Sequence, residues 1–191
     1  MQQVLAERFL PRRSALVDVS LIVLGSLFVA AMAQLSIPLQ PVPVTGQTFA
    51  VLLVGMVLGS RRGALALAAY LGEGLAGLPV FAEAKSGIAT ILGPTGGYLI
   101  GFIAAAWLVG LLAERGFDRS LFKTLVAMVV GNLVIYAFGL AWLSTFPFVS
   151  GLIGEAGLLS LGMFPFLIGD ALKAALAALL LPGAWKFMGK G

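Results

Sequence analysis

The stretch from Leu158 to Pro182, LLSLGMFPFLIGDALKAALAALLLP, decides how the rest of the chain is read. It is long and apolar enough to cross a bilayer, yet it sets Asp170 and Lys173 three residues apart near its middle. Either ion alone costs roughly 2.5–3.5 kcal/mol at the centre of a membrane helix. At positions i and i+3 the two side chains share one helix face, so they can neutralise each other and together meet a polar partner inside the protein. Two readings follow. The pair either ties this helix to its neighbours, or it marks the path of a ligand or ion, the more frequent role of ionisable groups inside membranes.

Composition narrows the class. The chain has 191 residues, 60% hydrophobic and 10% charged, which is the signature of an all-α integral membrane protein. It has no Cys and no His, which removes disulfides, thiol nucleophiles, His-ligated metals and His proton relays, so no metal site and no resident cofactor are expected. The formal charge of +4 comes from short basic clusters between apolar runs. That is the pattern of membrane topology, and no nucleic-acid partner is expected. The apolar run after Arg8, Arg12 and Arg13 is too long for a signal-peptide core and lacks a small-x-small cleavage site, so it reads as retained.

Working back to the N-terminus, six membrane spans are expected in a single domain over residues 1–191, at 15–37, 47–60, 64–78, 97–113, 124–143 and 158–182. The first carries Asp18 near its basic end and small residues that include Ser26 and Ala30, suited to close approach of another helix. The segment 38–48, PLQPVPVTGQT, breaks the helix with three prolines and restarts it at Thr45, Gly46, Gln47 and Thr48. Ser60-Arg61-Arg62-Gly63 reads as the end of the second span, and the third is interrupted by Gly72-Glu73-Gly74 and Gly77. Short or glycine-broken apolar segments point to where a transporter-like chain opens to hold a solute. The long connection 79–97 contains Glu83, Lys85 and a closing Gly-Pro-Thr-Gly-Gly, and long ordered loops of this kind are often lids. The fifth span places Asn132 and Tyr136 on one face, available either to a ligand or to a neighbouring helix.

Every Lys and Arg outside Lys85 and Lys173 falls at the N-terminus, in the second-to-third or fourth-to-fifth connection, or in the tail. By the positive-inside rule both termini are cytoplasmic. The spans beginning near Thr45–Gln47, Gly93–Gly97 and Gly162–Pro165 then start at the outer face, where helix N-termini offer free N–H groups to an anionic or carbonyl-rich solute. Asp170 would lie about 12 Å further along its helix. The inferred pocket opens outward and ends at Asp170 and Lys173, with Thr45, Gln47 and Tyr98 at its mouth or walls. Thr45 and Gln47 also suit plain helix-start roles. No G-x-x-x-x-G-K-[ST] motif occurs, so any use of ATP must come from another chain.

Four motifs in register, Pro41-Val-Pro-Val-Thr-Gly-Gln-Thr48, Gly77-Leu-Pro-Val-Phe81, Gly93-Pro-Thr-Gly-Gly-Tyr98 and Pro165-Phe-Leu-Ile-Gly-Asp-Ala-Leu-Lys173, resemble the BioY family over nearly the whole chain. These are the biotin-specific substrate-binding (S) components of energy-coupling factor (ECF) transporters. The resemblance implies a six-helix S-component bundle in a bacterial or archaeal-type cytoplasmic (inner) membrane. It also implies high-affinity biotin uptake energised by a transmembrane coupling (T) protein and an ATP-binding-cassette ATPase pair. Carried over by position, Asp170 and Lys173 contact the vitamin deep in the pocket, and Gln47 and Tyr98 match family motif positions, while Thr45 and Tyr136 are further candidates from their placement in the chain alone. Lys85 is a candidate countercharge for the valerate carboxylate, the reverse pose with carboxylate on Lys173 remaining open. Ser26 and Ala30 are implied to pack on the coupling protein. The stretch Ala82-Glu83-Ala84-Lys85-Ser86 departs from the family's small polar pattern. The competing readings are a self-sufficient secondary carrier using Asp170 as a proton or cation site, a membrane enzyme with Asp170 or Glu73 as acid or base, and a purely structural subunit.

Overall fold

A computed structural model describes residues 2–10, 14–147 and 154–189. Arg12, Arg13 and Lys190, which contribute to the charge asymmetry, lie outside the described residues. The described helices are α1 (Leu5–Phe9), α2 (Ala15–Gln34), α3 (Gln47–Leu58), α4 (Ser60–Leu75), α5 (Ile88–Leu92), α6 (Gly96–Ala113), α7 (Leu121–Leu143), α8 (Gly154–Gly162) and α9 (Phe164–Met188). A two-residue antiparallel pair, β1 (Ser36–Ile37) with β2 (Val44–Thr45), closes the proline-rich connection with Ser36 opposite Thr45. Among the described residues, four helices are long and apolar enough to span a membrane: α2, α6, α7 and α9.

The other two expected spans differ from their sequence reading. α3 and α4 are shorter helices meeting at Gly59, which takes a left-handed φ of 84°. Ser60-Arg61-Arg62, expected to be the connection, is instead the first turn of α4. The reason is tertiary, since Glu114 at the end of α6 accepts hydrogen bonds from the Ser60 amide at 2.8 Å and its hydroxyl at 2.7 Å. A carboxylate at a helix N-terminus satisfies orphan N–H groups and opposes the helix dipole. The last apolar run is likewise divided. Met163, with φ −138° and ψ −53°, interrupts the helix, and Pro165 sits in the first turn of α9, where its missing N–H costs nothing.

α6 lies at the centre, packed on α3, α4 and α7, while α2 covers α3 and α4, and α9 closes on α7 and α3. α2 is the least buried of the four long helices and α6 the most. With lipid as solvent, such helices gain from close van der Waals packing more than from escape from water, so small residues gather at the contacts. A Cβ added at Gly110 would stand 2.4 Å from the Ser60 backbone nitrogen, a distance that only glycine permits.

The charged ends of the helices are knitted together at one end of the bundle. Arg62 pairs with Asp18 at 2.7 Å, fixing the start of α2 against α4, and Ser14 caps α2 by accepting from the Val17 amide. The N-terminal segment docks here too: Val4, Leu5 and Ala6 are buried, Gln2 N donates to the Glu114 carbonyl, and Arg119 donates to the Gln3 carbonyl. Arg119 also lies 4.3 Å from the Trp185 ring, whose indole N–H donates to Asp118 at 2.6 Å. Burial pushes the Asp118 carboxyl up, with the Trp185 hydrogen bond and the Arg119 charge opposing it.

Gly110→Ala is expected to destabilise the detergent-solubilised protein by about 1–3 kcal/mol of overpacking. Gly72→Ala, whose added methyl meets nothing within 4 Å, should leave the thermal midpoint unchanged. Equal midpoints for the two variants would contradict the close α4–α6 approach.

Candidate ligand site

At the opposite end of the bundle, the loops and helix starts surround a cavity of about 360 Å³, within the range of small-molecule sites. Thr45, Gln47, Lys85, Tyr98, Tyr136, Asp170 and Lys173 all line it, so all seven sequence candidates meet in one place. Its polar end is built by three helices. Lys173 Nζ on α9 donates to Asp170 Oδ1 at 3.0 Å, to Thr48 Oγ1 at 2.8 Å and to the Thr45 carbonyl at 2.9 Å. An ammonium has three N–H donors, and all three are engaged. Thr48 on α3 passes its own hydroxyl proton toward Asp170 Oδ1 at 2.9 Å, while Tyr136 on α7 donates a short hydrogen bond to Oδ2. An ionised carboxylate offers about four acceptor sites, so three donors leave it with capacity for one more.

Burial explains the density of these contacts. The Asp170 side chain is 5% exposed and that of Lys173 20%, too dry for either charge to stand unpaired. Packing around the cluster is apolar: Phe81, Leu99, Phe102, Ile135 and Phe166 form walls between the polar end and the loops. Tyr98 joins two elements by donating to the Gly162 carbonyl at 2.7 Å, just before the break that starts α9. Trp142 similarly donates to the Gly93 carbonyl at 2.9 Å, fixing the glycine loop against α7.

Gln47 has a partly different setting from the one expected. Its amide accepts from Thr45 Oγ1 and donates to the Tyr70 hydroxyl at 2.7 Å, and Tyr70 donates in turn to the Val80 carbonyl at 3.0 Å. The Thr45 hydroxyl also accepts from the Gln47 backbone N–H, although the N-cap position of α3 is Gly46 and Thr45 lies in β2. Lys85 stands at the rim, half exposed, with Glu83 Oε2 at 2.6 Å. To act as a countercharge it must share or leave that carboxylate.

Ser26 and Ala30 lie away from the cavity. Ser26 is fully buried and donates to Glu73 Oε2, because a hydroxyl removed from solvent needs an acceptor and α4 supplies one. Its side chain therefore faces inward, which corrects the expectation of an outward packing face through Ser26. Ala30 is half-buried on the same helix.

Thr48, Tyr70 and Phe81 are not among the candidate site residues that the sequence offers. Thr48 is the last residue of the TGQT run, and its role as the bridge between Lys173 and Asp170 depends on a helix more than a hundred residues away. Phe81 fits edge-on to Tyr70, with ring centroids 5.5 Å apart, over Gly74, where an added Cβ would fall 2.0 Å from the Phe81 ring. The glycine in the Gly72-Glu73-Gly74 interruption is thus space for this ring. Among the described residues, no group of three or more Asp or Glu is placed to hold a metal ion.

The model of the BioY family matches residues 6–190. The chain is 41% identical over 163 residues to a probable biotin transporter BioY of Pyrococcus horikoshii, covering 85% of this chain and 93% of that one. It is 45% identical over 148 residues to the biotin transporter BioY of Thermotoga maritima, covering 78% and 83%. In structure it resembles the S-component for biotin from an ECF-type ABC transporter, with a TM-score of 0.78, 27% identity and coverage of 92% of this chain and 95% of that one.

Removing one member of the buried pair strands the other, so Asp170→Asn and Lys173→Met should each destabilise the protein, by up to about 3–5 kcal/mol. The double variant should recover much of that loss. Additive thermal shifts in this cycle would contradict the coupling.

Proposed function

The chain belongs to the BioY family, and we propose that it takes up biotin as the substrate-binding component of an ECF-type transporter. The observation that carries this reading is the closed polar cluster of Asp170, Lys173, Thr48 and Tyr136 at one end of an otherwise apolar cavity. Biotin has a ureido ring with two N–H donors and one carbonyl, a thioether-containing apolar body and a valerate carboxylate. A donor pole suits the remaining acceptor capacity of Asp170, and the apolar walls suit the ring body and chain. Since all three Lys173 protons are already engaged, a ligand oxygen at Lys173 must replace Thr45 or Thr48. This favours ureido N–H donation to Asp170, with the carboxylate toward the loops and Lys85. Gln47, Thr45, Tyr98 and Tyr136 then shape the site, and Tyr136 and Thr48 hold Asp170 in place.

The protein is a multi-pass membrane protein whose matched relatives are named as transporters. In this reading six helices cross the membrane, counting the short α3 and α4, in one domain with both termini cytoplasmic in a bacterial or archaeal-type cytoplasmic membrane. The knitted, basic end of the bundle is then inside and the cavity opens outward. The sequence has no G-x-x-x-x-G-K-[ST] motif, and in this reading the use of ATP falls to a separate T protein and ABC ATPase pair. The exposed apolar flank of α2, with Leu24, Leu27 and Phe28, is a more suitable packing face for a membrane partner than the inward Ser26. No metal or resident cofactor takes part in this reading.

Titration of the detergent-purified protein with biotin should give saturable binding, and Lys173→Ala should weaken it by at least about tenfold, the equivalent of about 1.4 kcal/mol. No binding to folded wild-type protein would overturn the assignment of the ligand. Topology has its own test, made clean by the absence of native Cys. A membrane-impermeant thiol reagent should label Ser86→Cys in intact cells and Arg115→Cys only after permeabilisation, whereas the reverse pattern would invert the orientation.

A further inference from the structure

The cavity wall contributed by residues 81–85 is held by a side chain that does not touch the cavity. Phe81, Ala82, Glu83 and Lys85 line the cavity. Their loop closes on itself through the Phe81 amide to the Lys85 carbonyl at 3.0 Å and the Lys85 amide to the Ala82 carbonyl at 3.3 Å. It does so at a conformational cost. Glu83 and Ala84 have φ of 60° and 54°, consecutive non-glycine residues in the left-handed region, which persist only where the surroundings over-determine them. The internal bonds leave the Phe81 carbonyl and the Ala84 amide without partners inside the loop.

Gln34, in the last turn of α2, serves both groups. Its Nε2 donates to the Phe81 carbonyl at 3.1 Å, and its Oε1 accepts from the Ala84 amide at 3.0 Å. One side-chain amide thereby presents a donor and an acceptor to the loop, as a neighbouring strand would. Nε2 also bonds back to the Ala30 carbonyl of its own helix at 3.2 Å, which fixes the amide's orientation. From the other side, Tyr70 holds the adjacent Val80 carbonyl and packs on Phe81. No residue of α2 lines the cavity, and Gln34 is a hydrogen-bonded link from this peripheral helix to the 81–85 wall.

We infer that Gln34 is a positioning residue of the ligand site, which sets how long the ligand is retained by holding the 80–85 loop closed over the cavity. The inference rests on the biotin-binding reading. Loss of both bonds in Gln34→Met, which keeps the length of the side chain, frees the loop without altering any lining residue. Net hydrogen bonds correspond to roughly two- to tenfold each in an equilibrium constant. Gln34→Glu keeps an acceptor for the Ala84 amide but sets an oxygen against the Phe81 carbonyl, and Gln34→Asn is one methylene too short to reach both groups.

The test is the dissociation rate of radiolabelled biotin from purified wild-type protein and the three variants, with Leu16→Ala on the exposed face of α2 as control. Amide exchange over residues 80–87 in the ligand-free proteins and thermal midpoints complete the set. The expected result is about tenfold faster release and faster 80–87 exchange in Gln34→Met. Intermediate release in Gln34→Glu, no rescue in Gln34→Asn, midpoints near wild type and an unaffected Leu16→Ala complete the expectation. Unchanged release in Gln34→Met, or accelerated release with unchanged loop exchange, would overturn the role of Gln34. A folded wild-type protein that retains no biotin would instead overturn the ligand assignment on which it rests.

Discussion

An ion pair set in the apolar interior of a membrane bundle is the constraint from which the rest follows. Asp170 and Lys173 satisfy each other only in part, because a carboxylate has about four acceptor sites and an ammonium three donors. The remaining demand is met by Thr48 and the Thr45 carbonyl at the start of α3, and by Tyr136 on α7. Three helices must therefore present polar groups at one depth, and they do so around a space that their apolar residues do not fill. The cavity and the ion pair are one structural fact: a fully packed core would bury the pair at a higher desolvation cost, and an open channel would hydrate it and loosen its geometry.

The two ends of the bundle use charge differently. At the basic end, Arg62, Glu114, Asp118 and Arg119 are spent on helix ends and on docking the N-terminal segment. At the cavity end the fixed contacts are mostly neutral: Tyr98 to Gly162, Trp142 to Gly93, Gln47 through Tyr70 to Val80, and Gln34 to the same loop. Neutral hydrogen bonds to loop carbonyls hold walls in place without adding a second strong charge beside the site. Lys85 and Glu83 at the rim are the exception, and their mutual pairing leaves the rim close to neutral.

Much of this was legible in the sequence, for physical reasons. Apolar length gives a long helix directly, and the i,i+3 spacing of Asp170 and Lys173 gives their pairing. Breaks at Pro38–Pro43 and Gly93–Gly97 give the loops that surround the cavity, which is why Thr45, Gln47 and Tyr98 were found together with the pair. What was not legible depends on partners distant in sequence. Nothing local says that Ser60-Arg61-Arg62 begins a helix, since its cap is Glu114. A stripe of small residues on α2 does not tell inside from outside, and Ser26 turned inward to Glu73. The break at Met163 lies within a continuous apolar run, where Gly162 and Pro165 were the available signals. The loop that contains Ala82–Ser86 departs from the family's small polar pattern, so the resemblance carries over its contacts least. It is tied from two helices by Gln34 and Tyr70, polar residues whose importance appears only when the loop is folded back on them.

The central claim, that the Asp170–Lys173 cluster is the anchor of the ligand, is tested most directly by determining the structure of the protein with biotin bound. The account predicts biotin inside the cavity, with a polar group of its ureido ring within hydrogen-bond distance of the Asp170 carboxylate. Biotin seated elsewhere, or lodged in the cavity without touching either Asp170 or Lys173, would contradict it.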